Sequence, residues 1–381
     1  MKYLIYIFPL LLLPPLYEAA LFCFSKTSTA DGEIFYYLIY ISIGIFLSII
    51  LIFSTSSETV QKSYFTDDFS FTSFELFFIT SIAITPFLYF IHTSINGYSL
   101  IDLVVFSEEY RNGKYKGSGI YTAPLIQFVP AMLSLNIALG DKFNKGFIFS
   151  LLILILGTLV LGQRIYLLKV FLAFLYRATK IEIKVIKLFM LFFVIFTFLS
   201  IYKIFLDADS IDEKGTFDYL LNPITRLNFS ALVRHDIGHG ISQIHCLLPT
   251  MQYSDICGGE FLKTEYLSNN SKISSGFPLL SKFSGVAIPL PVFLYNIFGM
   301  LGTAFFTGVL IFIAMLYKYI ENRRSGLIGK IIGLALLLTI TSTLVEDFLA
   351  SQFLDISIAV GFVIFGLIRF RIFRSRHPNS I

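Results

Sequence analysis

The chain has 381 residues, 56% of them hydrophobic and only 14% charged, with 43 Phe and no Trp. A soluble domain carries about 45–50% apolar and about 25% charged residues, so a mean hydropathy of +0.77 excludes a cytosolic enzyme, a disordered protein and a secreted domain. The formal net charge of +4 is too small and too scattered to mark a nucleic-acid partner; the composition describes an all-α polytopic membrane protein, with the lipid bilayer as its first partner.

At the N-terminus, Lys2 precedes an apolar stretch over residues 3–24, interrupted by Pro9, Pro14, Pro15 and Glu18. Signal cleavage needs small residues at the cut. Ala19-Ala20-Leu21-Phe22-Cys23 puts Phe22 in their place, so an uncleaved first helix is expected. A bilayer core of about 30 Å takes roughly 20 apolar residues as a helix. Further spans are expected over 34–53, 74–91, 120–140, 147–162, 185–206, 286–317, 327–345 and 353–370. A weaker segment, 165–176, carries Lys169 and falls short by itself.

Charge decides that segment. The basic clusters are Lys142/Lys145, Arg177/Lys180/Lys184/Lys187, Lys318/Arg323/Arg324/Lys330 and Arg369/Arg371/Arg374/Arg376. Cytoplasmic loops are the Lys/Arg-rich ones. All four clusters share that side only if 165–176 crosses. Ten spans with both termini cytoplasmic is therefore the expected topology. It has an N-terminal bundle (1–206), a large external loop (207–285) and a C-terminal set of spans (286–381).

In the second external loop, residues 92–119 combine an apolar stripe (Leu100, Ile101, Leu103, Val104, Val105) with a Gly-rich end, which predicts an interfacial helix followed by a mobile turn. The loop over 207–282 is the one long hydrophilic stretch. It holds nine acids against six bases, and loops of this length are commonly functional. A short helix is predicted near 230–248. Three histidines, His235, His239 and His245, lie there. His235 and His239 are four apart, as metal ligands on one helix face are, but Asp236 stands where a zincin has Glu and a third ligand is missing. The plain reading is a polar external loop that happens to be His-rich, the functional one a proton-transfer or phosphate role, and no metal or other cofactor is expected. Cys246 and Cys257 share the loop and are disulfide candidates if it faces an oxidising compartment; Cys23 lies in the first span. No nucleotide-binding loop and no nucleophile elbow is present.

Arginine gives the sharper signal. Arg111, Arg164, Arg226 and Arg234 fall on the external side, where the topology rule does not call for them. Arg164 sits in a tight turn between a strong span and the marginal one, where a charge must face water, a polar cavity or an anion. Guanidinium binds phosphate through two parallel hydrogen bonds and keeps its charge. These residues suit an anionic, lipid-linked substrate such as a diphosphate, with Lys114 beside them.

The stretch 108–119, Glu-Glu-Tyr-Arg-Asn-Gly-Lys-Tyr-Lys-Gly-Ser-Gly, and the segment Tyr295-Asn296-Ile297-Phe298-Gly299-Met300-Leu301-Gly302 complete a familiar layout. Some ten spans, one large external loop in the second half and an Arg at the outer tip of the fifth span resemble the O-antigen repeat-unit polymerases of the Wzy type. The resemblance implies a GT-C-like membrane glycosyltransferase in the bacterial inner membrane. Such an enzyme transfers a growing glycan from undecaprenyl diphosphate to a new lipid-linked repeat unit on the periplasmic face, without a metal. It implies work alongside a flippase and a chain-length regulator. The acceptor hydroxyl attacks the anomeric carbon and diphosphate leaves, so the site needs cations and a base. Arg164, with Arg111, Arg226, Arg234, His239 and Lys114 binding diphosphate or glycan, is expected to supply the first; His235 or Asp236 is expected to supply the second. Two other readings remain open: an O-antigen ligase that attaches polymer to lipid A–core, and a flippase that transports lipid-linked sugar without chemistry.

Overall fold

The computed structural model describes residues 2–25, 30–55, 71–95, 99–111, 114–115, 121–122, 124–140, 143–161, 166–179, 185–206, 290–321 and 327–344. Among these residues the fold is helical throughout. In chain order the elements are α1 (Lys2–Ser25), α2 (Ala30–Thr55), α3 (Ser73–Ser94), α4 (Leu100–Arg111) and α5 (Pro124–Leu139). There follow α6 (Lys145–Val160), α7 (Tyr166–Ala178), α8 (Val185–Leu206), α9 (Leu290–Phe298), α10 (Met300–Glu321) and α11 (Leu327–Thr343). Three stretches, Glu33–Ile52, Ser73–Ser94 and Met300–Glu321, are long and apolar enough to cross a membrane. The expected span at 353–370 and the predicted helix near 230–248 lie outside the described residues.

Local chemistry starts and ends these helices. Thr72 and Glu75 form a reciprocal cap at α3: the Glu75 amide donates to Thr72 Oγ1 at 3.3 Å and the Thr72 amide to Glu75 Oε2 at 2.8 Å, which satisfies two of the donors a helix start leaves open. Asn144 caps α6 by accepting from the Phe147 amide at 2.9 Å and also donates to the Phe71 carbonyl at 2.8 Å. The Phe71 amide in turn donates to Asn136 Oδ1 at 3.1 Å. The starts of α3 and α6 and the end of α5 are thereby tied into one end of the bundle.

Arg177 belongs to that same end. Its guanidinium donates to the Ile137 carbonyl at 2.9 Å and to the Gly140 carbonyl, two of the acceptors that the last turn of α5 leaves unmatched. Since α6 rises about 24 Å from Lys145 to Val160 at 1.5 Å per residue, α7 starts at the far end and returns to bring Arg177 beside Gly140. The marginal segment is a helix of 13 residues, Tyr166–Ala178. It is also the most enclosed helix: Leu167, Leu168, Val170, Phe171, Leu172, Ala173, Leu175 and Tyr176 are all buried, with α1, α5, α6, α8 and α11 around it.

Tyr3, Tyr176 and Tyr317 close this end. Tyr3 stacks on Tyr317 at 5.8 Å and meets Tyr176 edge-on at 5.6 Å, its hydroxyl lies 3.2 Å from Thr341 Oγ1, and Tyr176 donates to Glu321 at 2.9 Å. The first residues of the chain thus pack against the ends of α7 and α10. By contrast, α2, α3, α6, α8 and α10 turn Ile, Leu and Phe outward over much of their length. So contiguous an exposed apolar surface marks an interaction with lipid or protein.

Candidate functional site

The helix break at Gly299 falls in the segment that carries the family resemblance. The expected single span over 286–317 is two helices, α9 and α10, with Gly299 between them at φ 55°, a left-handed conformation that costs other residues about 1–2 kcal/mol. The Gly299 amide donates to the Tyr295 carbonyl at 2.7 Å and the Gly302 amide to the Gly299 carbonyl at 2.9 Å. A β-carbon on Gly302 would lie 2.0 Å from the Leu294 carbonyl oxygen, so α9 folds back on the first turn of α10 at backbone contact. Phe298 meets Phe305 at 5.2 Å, and Tyr295 holds the corner to α2 through Phe35 at 5.2 Å. Helix breaks of this kind in membrane proteins place backbone groups and helix termini at binding sites.

At the end of the bundle opposite Arg177, α4 forms as the 92–119 pattern predicts. Its Leu100, Ile101, Val104 and Val105 are exposed, whereas Phe106 is buried. Of the turn that follows, residues 114–115 are described. Lys114 pairs with Glu109, and the Tyr115 hydroxyl donates to the other Glu109 oxygen at 2.6 Å. The Tyr115 ring packs 5.4 Å from both Phe90 and Phe106, and Tyr121 stacks on Phe90 at 5.5 Å. Aromatic packing thus holds Tyr115 against α3 and α4. The hydrogen bonds from Lys114 and Tyr115 hold the Glu109 carboxyl below its ordinary range, while burial, reinforced by Glu109, pushes Tyr115 up to about 12. Lys114, expected to face a phosphate, is engaged by a carboxylate, though its side chain keeps 59% exposure. Arg111 ends α4 one turn earlier in the chain.

The interior carries polar groups that the charge and motif patterns did not single out. α5 begins as a π turn, Pro124–Phe128, before the regular helix Val129–Leu139. Such wide turns are rare and recur at functional sites. Gln127, Ser134 and Asn136 are buried on it. Gln127 Oε1, Ser134 Oγ and Asn136 Nδ2 find no hydrogen-bond partner among the described residues. Lys169 of α7 is 5% exposed. In the sequence it reads only as an interruption of a weak span. The signal that could have found it is the charge itself, because ionisable residues inside membrane helices are rare and face the bundle interior.

Arg164, Arg226, Arg234, His235, Asp236, His239, Cys246 and Cys257 lie outside the described residues, as does His245. No protein-family model, curated protein or solved structure matches the chain. The fold defines a class, a helical bundle with, among the described residues, three helices able to cross a membrane, a glycine-centred helix break and a few polar groups in an apolar interior.

Proposed function

We propose that this protein is a membrane glycosyltransferase of the O-antigen polymerase type. It would move a growing glycan from undecaprenyl diphosphate onto a lipid-linked repeat unit at the external face of the bacterial inner membrane. The observation that carries the reading is the helix break at Gly299 and the backbone contact at Gly302, at the residues that resemble the polymerases. An unbroken span has no use for a left-handed glycine followed by a second glycine under a carbonyl. In this proposal the Arg177 end faces the cytoplasm with both termini, ten spans are formed, and the fold is GT-C-like. Arg164 holds the leaving diphosphate with Arg111, Arg226, Arg234, His239 and Lys114 lining the approach. His235 or Asp236 takes the acceptor proton. A flippase supplies the lipid-linked unit and a chain-length regulator acts on the product.

Deleting the gene and resolving the surface polysaccharide on a gel tests this. Collapse of the ladder to core plus one repeat unit is the expected result. Loss of all surface glycan with lipid-linked polymer accumulating would identify a ligase, and an unchanged ladder would refute both. Arg164→Ala in the complemented strain should abolish long chains at normal membrane levels, since removing a donor to developing charge costs about 10²–10³ in rate. Arg164→Lys should keep part of the activity, and Arg374→Ala should change little.

A further inference from the structure

α4 is a separate element with a start of its own. The Ser99 amide donates to Asp102 Oδ2 at 2.9 Å and the Asp102 amide to Ser99 Oγ at 3.2 Å, a reciprocal cap that begins the helix shortly after α3 ends at Ser94. Its 12 residues rise about 18 Å at 1.5 Å each, whereas a bilayer core of about 30 Å needs roughly 20 residues. α4 is too short to cross. Nor does it descend beside α3. A link of four residues keeps Ser99 within about 14 Å of Ile95, and the other end is held at Ser94, where the Tyr115 hydroxyl bonded to Glu109 lies 3.5 Å from the Ser94 carbonyl oxygen. Phe106 and Tyr110 meet Phe90 at 5.4 and 6.5 Å. Both ends of α4 therefore stay at the last turns of α3, and the helix also touches α6 and α8.

The helical period divides the side chains of α4. Phe106 and Ser107 are buried, and Leu103 and Tyr110 pack against the same core. Leu100, Ile101, Val104 and Val105 fall on the other side, at 81%, 74%, 39% and 46% exposure, with no charged side chain among them. The apolar stripe is thus split: Leu103 goes to the protein and four aliphatic side chains turn away from it. The neighbouring outer surfaces are of the same kind, since Leu152 and Leu156 of α6 and Val194 and Phe198 of α8 are exposed. Four tyrosines mark the level. Tyr110, Tyr115 and Tyr121 surround Phe90, and Tyr89 lies 6.3 Å from Tyr121. Tyrosine concentrates where a membrane protein meets the headgroups, with its ring among the chains and its hydroxyl in water. We infer that α4 is a membrane-surface helix at the end of the bundle opposite Arg177. Leu100, Ile101, Val104 and Val105 sit in the acyl chains just below the headgroups, and the Glu109–Lys114 pair stands at headgroup level. A helix so placed buries its apolar face about 5–10 Å into that boundary. It anchors the ends of α3 and α6 at a fixed depth. That the leaflet is the external one rests on the proposed orientation; the depth does not.

The chain contains no Trp, so one introduced Trp reports on one position alone. The test places Ile101→Trp and, separately, Phe312→Trp in the full-length chain in lipid nanodiscs. Each is quenched with phosphatidylcholine brominated near the headgroup or near the chain ends, and with iodide in the water. Phe312 faces outward from the middle of α10 and is the deep reference. Ile101→Trp should be quenched about twofold more by shallow bromines than by deep ones, the contrast expected about 5–10 Å below the surface, and only weakly by iodide. Phe312→Trp should show the reverse order of bromines. Equal or stronger quenching of Ile101→Trp by deep bromines would mean an inserted helix and overturns the placement. Insensitivity to both brominated lipids overturns it too: strong iodide quenching would then mean a face in water, and weak iodide quenching a face covered by protein. If Ile101→Trp fails to reach the membrane, Val104→Trp and Val105→Trp carry the same reading. Bromine depth is blind to the leaflet and to the reaction, so a shallow α4 stands even where gene deletion leaves the ladder intact and refutes the polymerase reading.

Discussion

Single residues carry two roles that their type does not announce. Arg177 counts in the sequence as one member of a basic cluster, yet its guanidinium closes the last turn of α5 and lies 4.6 Å over the Phe143 ring. A cation at a helix C-terminus gains from the dipole, and the planar fork reaches two carbonyls at once. Arg177→Ala should therefore lower stability by about 2–4 kcal/mol in a detergent melt, and Arg177→Lys should recover less than half of the loss. A melt within experimental error of wild type would mean that the two bonds are not held in solution. Glu109 behaves differently, because its effect depends on pH. Its carboxyl is depressed in the folded state, so the turn it holds is favoured above the ordinary carboxylate range and loosens as pH falls through the lowered value. Tyr115 is raised, so its contribution is whole below about pH 10, its unfolded value, and is lost as pH climbs toward about 12. Hydrogen exchange over residues 109–115, corrected for intrinsic rate, should rise at both extremes, and Glu109→Gln should remove the acid limb. A flat profile in wild type would refute the ion-paired turn.

At the scale of elements, glycine positions give opposite signs for the same substitution. A methyl at Gly302 would strike the Leu294 carbonyl, forcing α9 away from α10 at a cost of about 1–3 kcal/mol. Gly308 on α10 has nothing within 4 Å of that position, so alanine there should gain up to about 1 kcal/mol through helix propensity. Thermal melts of Gly302→Ala and Gly308→Ala should move in opposite directions; equal shifts would mean that the corner is not packed as described. The same element scale explains α7. Hydropathy counts what a helix shows to lipid, and α7 shows almost nothing, since its surroundings are other helices. Lys169 and Arg177 lower its apolar score without harm because helices, not hydrocarbon, meet them. That is why its own residues carry so weak a span signal, and why the expected crossing rested on the charges on either side.

Across the whole molecule, the starts of α1, α3 and α6 and the ends of α5, α7 and α10 gather at one end, joined by the Tyr3–Tyr176–Tyr317 packing and the Phe71 bonds. The proposed orientation puts that end in the cytoplasm. A reporter active only in the periplasm should then be silent when fused after Lys142, Lys184 or Arg324 and active after Asp218. Activity after Lys184 would place Arg164 on the wrong side for the proposed chemistry. Tyr3→Ala should destabilise the bundle by about 3–5 kcal/mol, as removal of a fully buried aromatic does, although a chain terminus is ordinarily the most dispensable part. An unaffected melt would show that the N-terminus is not part of the closure.

The sequence by itself determined that the chain is helical and apolar and where most helices lie. Those features follow from local period and from runs of apolar residues. Only the tertiary structure decided that α9 and α10 meet at a corner, that Lys114 and Tyr115 are clamped on Glu109, and that Gln127, Ser134 and Asn136 are buried on α5. Each of these depends on which helices are neighbours and how they are staggered. Contacts between residues far apart in the chain set that, and no periodicity within a segment encodes it.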